Sequence, residues 1–81
     1  MTTSDVAETQ RYSVHAADEG RGRSHTVEGT SFEDAAFAFV ERWAPAPDAD
    51  GDVAVIVQDI ESGARHCFRI DLGSGEAAPC D

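Results

Sequence analysis

The chain has no lysine, and none of its apolar runs approaches the roughly 18 residues of a membrane-spanning helix. It carries only two cysteines, three prolines, one tyrosine and one tryptophan. Six basic residues, all arginine, stand against 16 acidic ones, for a formal charge of −10. So little positive charge argues against a nonspecific grip on nucleic-acid phosphates or anionic lipid, so no direct nucleic-acid or membrane partner is expected. A basic protein partner would be favoured in rate of encounter, although acidity also serves solubility alone. The opening Met1-Thr2-Thr3-Ser4-Asp5 has neither a basic start nor an apolar run, so it does not read as a signal peptide. The expected compartment is the cytoplasm, where Cys67 and Cys80 would be reduced thiols rather than a structural disulfide.

The spacings that fix a reaction are missing too. A zinc site needs about four converging ligands, usually with one closely spaced pair, and no CxxC, HxxxH or HxH occurs. Gly20-Arg21-Gly22 and Gly73-Ser74-Gly75 are too short to cradle a phosphate, and neither sits between a strand and a helix. Asp48-Ala49-Asp50-Gly51-Asp52, with Asp59 beyond, is superficially like a calcium loop. Its glycine is fourth rather than sixth, however, and a β-branched run follows where a helix should, so a solvated connecting loop is expected. No catalytic triad order or pair of buried carboxylates can be drawn. No metal, no cofactor and no enzymatic activity are expected, and a binding role ranks above catalysis.

What is present is a folding pattern. Eighty-one residues make one domain near the lower size limit for a self-sufficient core, a size at which dimerisation often supplements stability. Residues 1–9 are polar and aperiodic and read as a disordered lead. Over 10–16, Tyr12, Val14 and Ala16 alternate with Arg11, Ser13 and His15, the period-2 mark of a half-buried strand. Gly20 and Gly22 suit a hairpin turn, a second strand follows at about 24–29, and Val14 opposite Val27 sets the expected register.

The strongest signal is a helix. Thr30 as N-cap and Glu33 three residues on form a capping box, and Phe32, Ala35, Ala36, Phe39, Val40 and Trp43 make one apolar stripe. Early acids and a late Arg42 suit the helix dipole, and Pro45 and Pro47 end it. Two further strands follow a loop at 45–52, one at about 53–60 and one at 65–71, with a turn at 61–64 between them. Residues 73–81 read as a flexible tail, leaving 10–72 as the domain. The expected fold is α+β, in the order β-β-α-β-β, a four-stranded antiparallel sheet with one helix packed on one face.

That geometry bears on partners. Four strands span some 15–19 Å and a helix only about 10–12 Å, so one sheet face is left bare. Yet 53–57 is apolar at every position, with Ile56 pointing away from Val55 and Val57, and Phe37 lies off the helical stripe. A homodimer or a protein partner is therefore expected on the outer face. The candidate binding residues are Arg11, His15, Ile56, Arg65, Cys67 and Arg69, with Ser13 between the first two. Arg65 and Arg69 flanking Cys67 would lower its thiol pKa or hold an anion, and Cys80 could reach back as a resolving thiol. A third alternative is an acidic protein that mimics nucleic acid and fills the groove of a DNA- or RNA-binding protein.

The run from Asp50 to Val57, the run Glu61-Ser62-Gly63-Ala64-Arg65-His66-Cys67-Phe68-Arg69-Ile70-Asp71, and the Phe32-Glu33-Asp34-Ala35-Ala36 helix start carry a resemblance. Together they resemble short uncharacterised proteins, a domain of unknown function in high-GC proteobacteria, over residues 11–80. The exclusive use of arginine and the abundance of alanine fit the same coding bias. The resemblance implies a free-standing bacterial domain and no particular site residues.

Overall fold

The computed structural model describes residues 9–17 and 21–80. Residues 1–8 of the expected lead at 1–9, and 18–20 of the expected turn at 18–23, lie outside the described residues. Five strands and one helix follow in the order β1 (Gln10–Ala16), β2 (His25–Gly29), α1 (Phe32–Trp43), β3 (Asp52–Asp59), β4 (Arg65–Asp71) and β5 (Glu76–Pro79). The sheet order is β2-β1-β3-β4-β5 and every pairing is antiparallel. Since β2 and β3 both run antiparallel to β1, they are parallel to each other. Parallel strands need a long crossover, and α1 supplies it by passing over β1.

Alternation decides which side chains meet the helix. Tyr12 and Val14 of β1, Val27 of β2, Val53, Val55 and Val57 of β3 and Ile70 of β4 form the buried core with Ala35, Ala36 and Phe39 of α1. Each large apolar side chain so buried stabilises the fold by about 1.5–3 kcal/mol. Phe37, off the main stripe, is half-buried and packs on the edge of this core rather than standing free. Trp43 is 38% exposed, because the stripe rolls past the sheet edge at the last turn. It stacks instead on the His25 imidazole, ring centroids 4.2 Å apart, and takes the Arg42 guanidinium at 5.3 Å from its ring centre.

Several expectations need correction. The tail is not unstructured throughout: Glu76–Pro79 adds a fifth strand to the edge of β4, after a turn held by the Asp71 carboxylate, which accepts from the Gly73 and Ser74 amides. The β1–β2 register pairs Val14 with His25 and Tyr12 with Val27, two residues from the expected one. A two-residue slip keeps every side chain on its face, so apolar alternation alone does not resist it. The helix cap also moves by one. Ser31, not Thr30, is the N-cap, its hydroxyl accepting the Asp34 amide at 3.1 Å, while the Asp34 carboxylate accepts the Thr30 amide at 2.9 Å. Two overlapping capping pairs exist in the sequence, Thr30 with Glu33 and Ser31 with Asp34, and the close approach of Gly29 to the Ala35 backbone and the Asp34 carboxylate goes with the second.

Tyr12 gives this core a pH signature. Its hydroxyl pKa is raised above the ordinary value, chiefly by burial and then by the nearby Asp59 and Asp34 carboxylates. A phenol whose folded pKa exceeds its unfolded value contributes stability that is fully present below about pH 10 and is lost as pH rises through the folded value. Because Tyr12 is the one tyrosine, tyrosinate absorbance reports it without deconvolution. The expected midpoint lies above about 10 in the native protein and returns to the ordinary value in denaturant. A native midpoint at or below the ordinary value would remove this account.

Candidate functional site

The face opposite α1 gathers the candidate residues. Cross-strand partners share a face, so the register His15↔Ile56↔Cys67 places one row across β1, β3 and β4. The adjoining rows are Ser13↔Gln58↔Arg65 and Ala54↔Arg69↔Ala78. Arg11 lies one row further along β1, opposite Glu28 of β2. All six candidate residues therefore lie on one face, as alternation implies. His66 takes the helix side, its ring centroid 4.2 Å from that of Phe32, so it stands apart from Cys67.

The face is not an open, cationic patch. His15 is only 6% exposed, and the Ser24 hydroxyl lies 3.4 Å from its Nδ1. Ser24 stands beside His15 where the β1–β2 register continues from Val14↔His25, and the buried imidazole is withdrawn from a partner. Ile56 is half-buried, while Arg11, Arg65 and Arg69 are exposed. Arg69 reaches the Asp48 and Asp52 carboxylates at 3.4 and 3.3 Å, exposed pairs that hold its guanidinium in place more than they stabilise the fold. Among the described residues these are the salt bridges, so Arg69 is already committed to acids rather than open to an anion.

The Asp48 loop is built from its own backbone. The Asp48 carboxylate accepts the amides of Asp50 at 2.9 Å and Asp52 at 3.0 Å, and Gly51, at φ +84°, turns the chain into β3. The bond from the Asp52 amide, foremost, holds the Asp48 carboxyl below the usual carboxylate range, aided by the Asp50 amide and Arg69. Its lone pairs are used in closing a turn, as expected of a connecting loop. Among the described residues no three metal-ligating side chains converge.

The largest departure concerns the cysteines, which the sequence reads as thiols. Cys67 and Cys80 form a disulfide, with Cα atoms 5.3 Å apart. The two are 13 residues apart in sequence, but the β4–β5 hairpin brings them opposite one another, and the Cys80 amide donates to the Cys67 carbonyl at 3.1 Å. Without β5, Cys80 would hang on a loose tail. Once β5 is in place, the Cα separation falls within the span a disulfide bridges. An isolated Cys67 thiolate between two arginines is therefore not the state seen here.

A family model matches residues 10–81, from the first strand through β5 and the second cysteine. The chain belongs to DUF5961. This is a family of unknown function, so membership in DUF5961 assigns no reaction or ligand to the disulfide face. No curated protein and no solved structure matches the chain. Among the described residues of this DUF5961 domain no helix is long and apolar enough to cross a membrane. The two sequence runs and the helix start that carried the resemblance all fall within the matched region.

Proposed function

We propose that the protein is a small, acidic, non-enzymatic interaction module whose outer sheet face meets a second copy of the chain. The observation that carries this reading is the one-sided cover. A single helix packs on a five-stranded sheet, and Ile56 lies at the centre of the other face, between His15 and the disulfide. Ala54 and Gln58 flank it along β3, Ser13 and Ala78 lie in the adjoining rows, and Arg65 and Arg69 stand diagonally on β4, with Arg69 already paired to Asp48 and Asp52.

Magnitude sets the expected strength. Five strands about 4.8 Å apart, some 20 Å long, offer a footprint of roughly 400–500 Å². Stable interfaces bury about 800 Å² per partner, so this association is weak and concentration-dependent. Two copies also bring together a formal charge of −10 each, and screening that repulsion favours the pair. Light scattering at rising concentration should therefore move the mass from 8.6 kDa towards twice that value, and added salt should strengthen the shift. Ile56→Asp should abolish it while leaving circular dichroism unchanged. A mass fixed at 8.6 kDa at every concentration sinks the homodimer.

Salt also separates this reading from an acidic mimic of nucleic acid, whose grip on a basic partner would weaken as ionic strength rises. Exposed acids occur on β2, α1, the β3–β4 turn and β5, and the Asp52↔Asp71↔Glu76 row, with Asp48 and Asp50 beside it, gathers several at one end of the sheet. That row is short and has the Arg69 guanidinium paired into it, which suits a continuous phosphate track poorly.

A further inference from the structure

We propose that Cys67–Cys80 is a thiol–disulfide exchange site that latches β5, and that reduction by a dithiol releases this strand while the rest of the sheet stays folded. This goes beyond the self-association reading and does not depend on it. Three observations carry the proposal. The first is position: both cysteines are half-buried on the face that α1 leaves uncovered, so a reductant need not unfold the core to reach them.

The second is how little else holds the strand. β5 has four residues, lies at the sheet edge and is bonded on one side only. Of its side chains, Ala77 alone packs against the core, and only alternate β5 amides turn to β4, as Cys80 does to the Cys67 carbonyl. A two-stranded hairpin with so small an apolar contact is marginal in water, so the disulfide is the main restraint on its far end.

The third is the contrast with the strands inside. Val14, Val55 and Val57 are fully buried, and β1 and β3 are each paired on both sides. Opening β5 leaves that core intact. It does bare the outward amides and carbonyls of β4 over Phe68–Asp71, which pair with β5 in the oxidised form. An uncovered edge of this kind is what an extended segment pairs with, so the latch would decide whether the edge is presented.

The exchange balances with a dithiol as co-reactant. One thiolate of the dithiol attacks Cys80 Sγ and forms a mixed disulfide, and Cys67 Sγ departs as the thiolate. Arg65, exposed and two residues away on the same strand face, favours that charge. The second thiol of the reductant then displaces Cys80. Two electrons and two protons pass to the protein, the dithiol is oxidised to its own disulfide, and both cysteines end as thiols.

Amide hydrogen exchange by NMR on the dilute monomer, with and without dithiothreitol, tests the latch without involving self-association. On reduction the amides of Ala78 and Cys80, which turn to β4, should exchange about tenfold faster or more, while those of Val14, Val55 and Val57 change less than about twofold. The Cys80→Ser variant should reproduce the reduced pattern with no reductant present. Three outcomes would overturn the proposal: a disulfide that dithiothreitol leaves intact in the native protein, unchanged protection of β5 after reduction, or a loss of protection shared equally by the whole sheet.

Discussion

Phe39→Ala is expected to lower the stability of the domain by about 3–5 kcal/mol, enough to leave it only marginally folded. Phe39 is 2% exposed and sits in the middle of the face that α1 turns to the sheet. Its ring meets His25 at 5.9 Å and Trp43 at 5.5 Å between centroids, so its loss opens a cavity and removes one wall of the Trp43 stack. At about 0.05–0.15 kcal/mol per residue, a domain of this size has a total stability of only some 4–12 kcal/mol. Urea unfolding followed by the fluorescence of the single tryptophan is the measurement. The midpoint should fall sharply, and the native emission should shift towards that of a solvated indole. Phe37→Ala is the internal control: Phe37 is half-buried at the core edge, and its loss should cost clearly less. Equal costs for the two would mean that α1 docks on a different stripe from the one described.

That stripe was legible in the sequence because helical and strand periods are properties of consecutive residues. Tyr12, Val14 and Ala16 alternate and are buried as a set, and the bounds of β1, α1 and β4 fall where period and proline place them. The exchange of faces within β4, with His66 on the helix side and Cys67 outside, follows from the same rule. The features that were not legible depend on pairing between distant segments. The β1–β2 register differs from the expected one by two residues, a slip that alternation tolerates because it leaves each face unchanged. Glu76-Ala77-Ala78-Pro79 has none of the β-branched or aromatic residues that announce a strand, and it is ordered by pairing with β4 and by the disulfide.

The candidate site was legible to a similar depth. Alternation assigned Arg11, His15, Ile56, Arg65, Cys67 and Arg69 to one face, and the pairing of β1, β3 and β4 places them there. What each side chain can do on that face depended on loops that periodicity cannot orient. Ser24 lies against His15, and the Asp48 loop leading into β3 takes Arg69 of the neighbouring strand. Cys67 changes from an isolated nucleophile into half of a disulfide solely because β5 exists. A signal was available in the sequence: a glycine-containing turn at 72–75 places Cys80 as far beyond the turn as Cys67 lies before it, the symmetry of an antiparallel hairpin.

Gly29→Ala is expected to destabilise the fold although it adds a single methyl group and removes no contact. A Cβ at Gly29 would lie 3.0 Å from the Ala35 amide nitrogen, 3.2 Å from its Cα and 3.1 Å from Asp34 Oδ2. Two of these are backbone atoms in the first turn of α1, so a side-chain rotation cannot relieve the overlap. Either the helix N-terminus lifts from β2 or the Asp34 carboxylate gives up its bond to the Thr30 amide, at 2.9 Å the closer arm of the cap. Overpacking of this kind costs about 1–3 kcal/mol. Replacing glycine also reduces the freedom of the unfolded chain, which offsets about 0.4–1 kcal/mol of that. The net loss, centred on about 1.3 kcal/mol, corresponds to a fall in melting temperature of roughly 5–10 °C for a domain of this length. Gly22 is the matching control: it lies in the 3-10 turn, and a Cβ there would meet nothing within 4 Å. Gly22→Ala should therefore leave the melting temperature unchanged or raise it slightly. If Gly29→Ala also melts at or above the parent temperature, β2 and α1 are not in the close approach described. The helix would then owe its position to the Phe39 stripe alone.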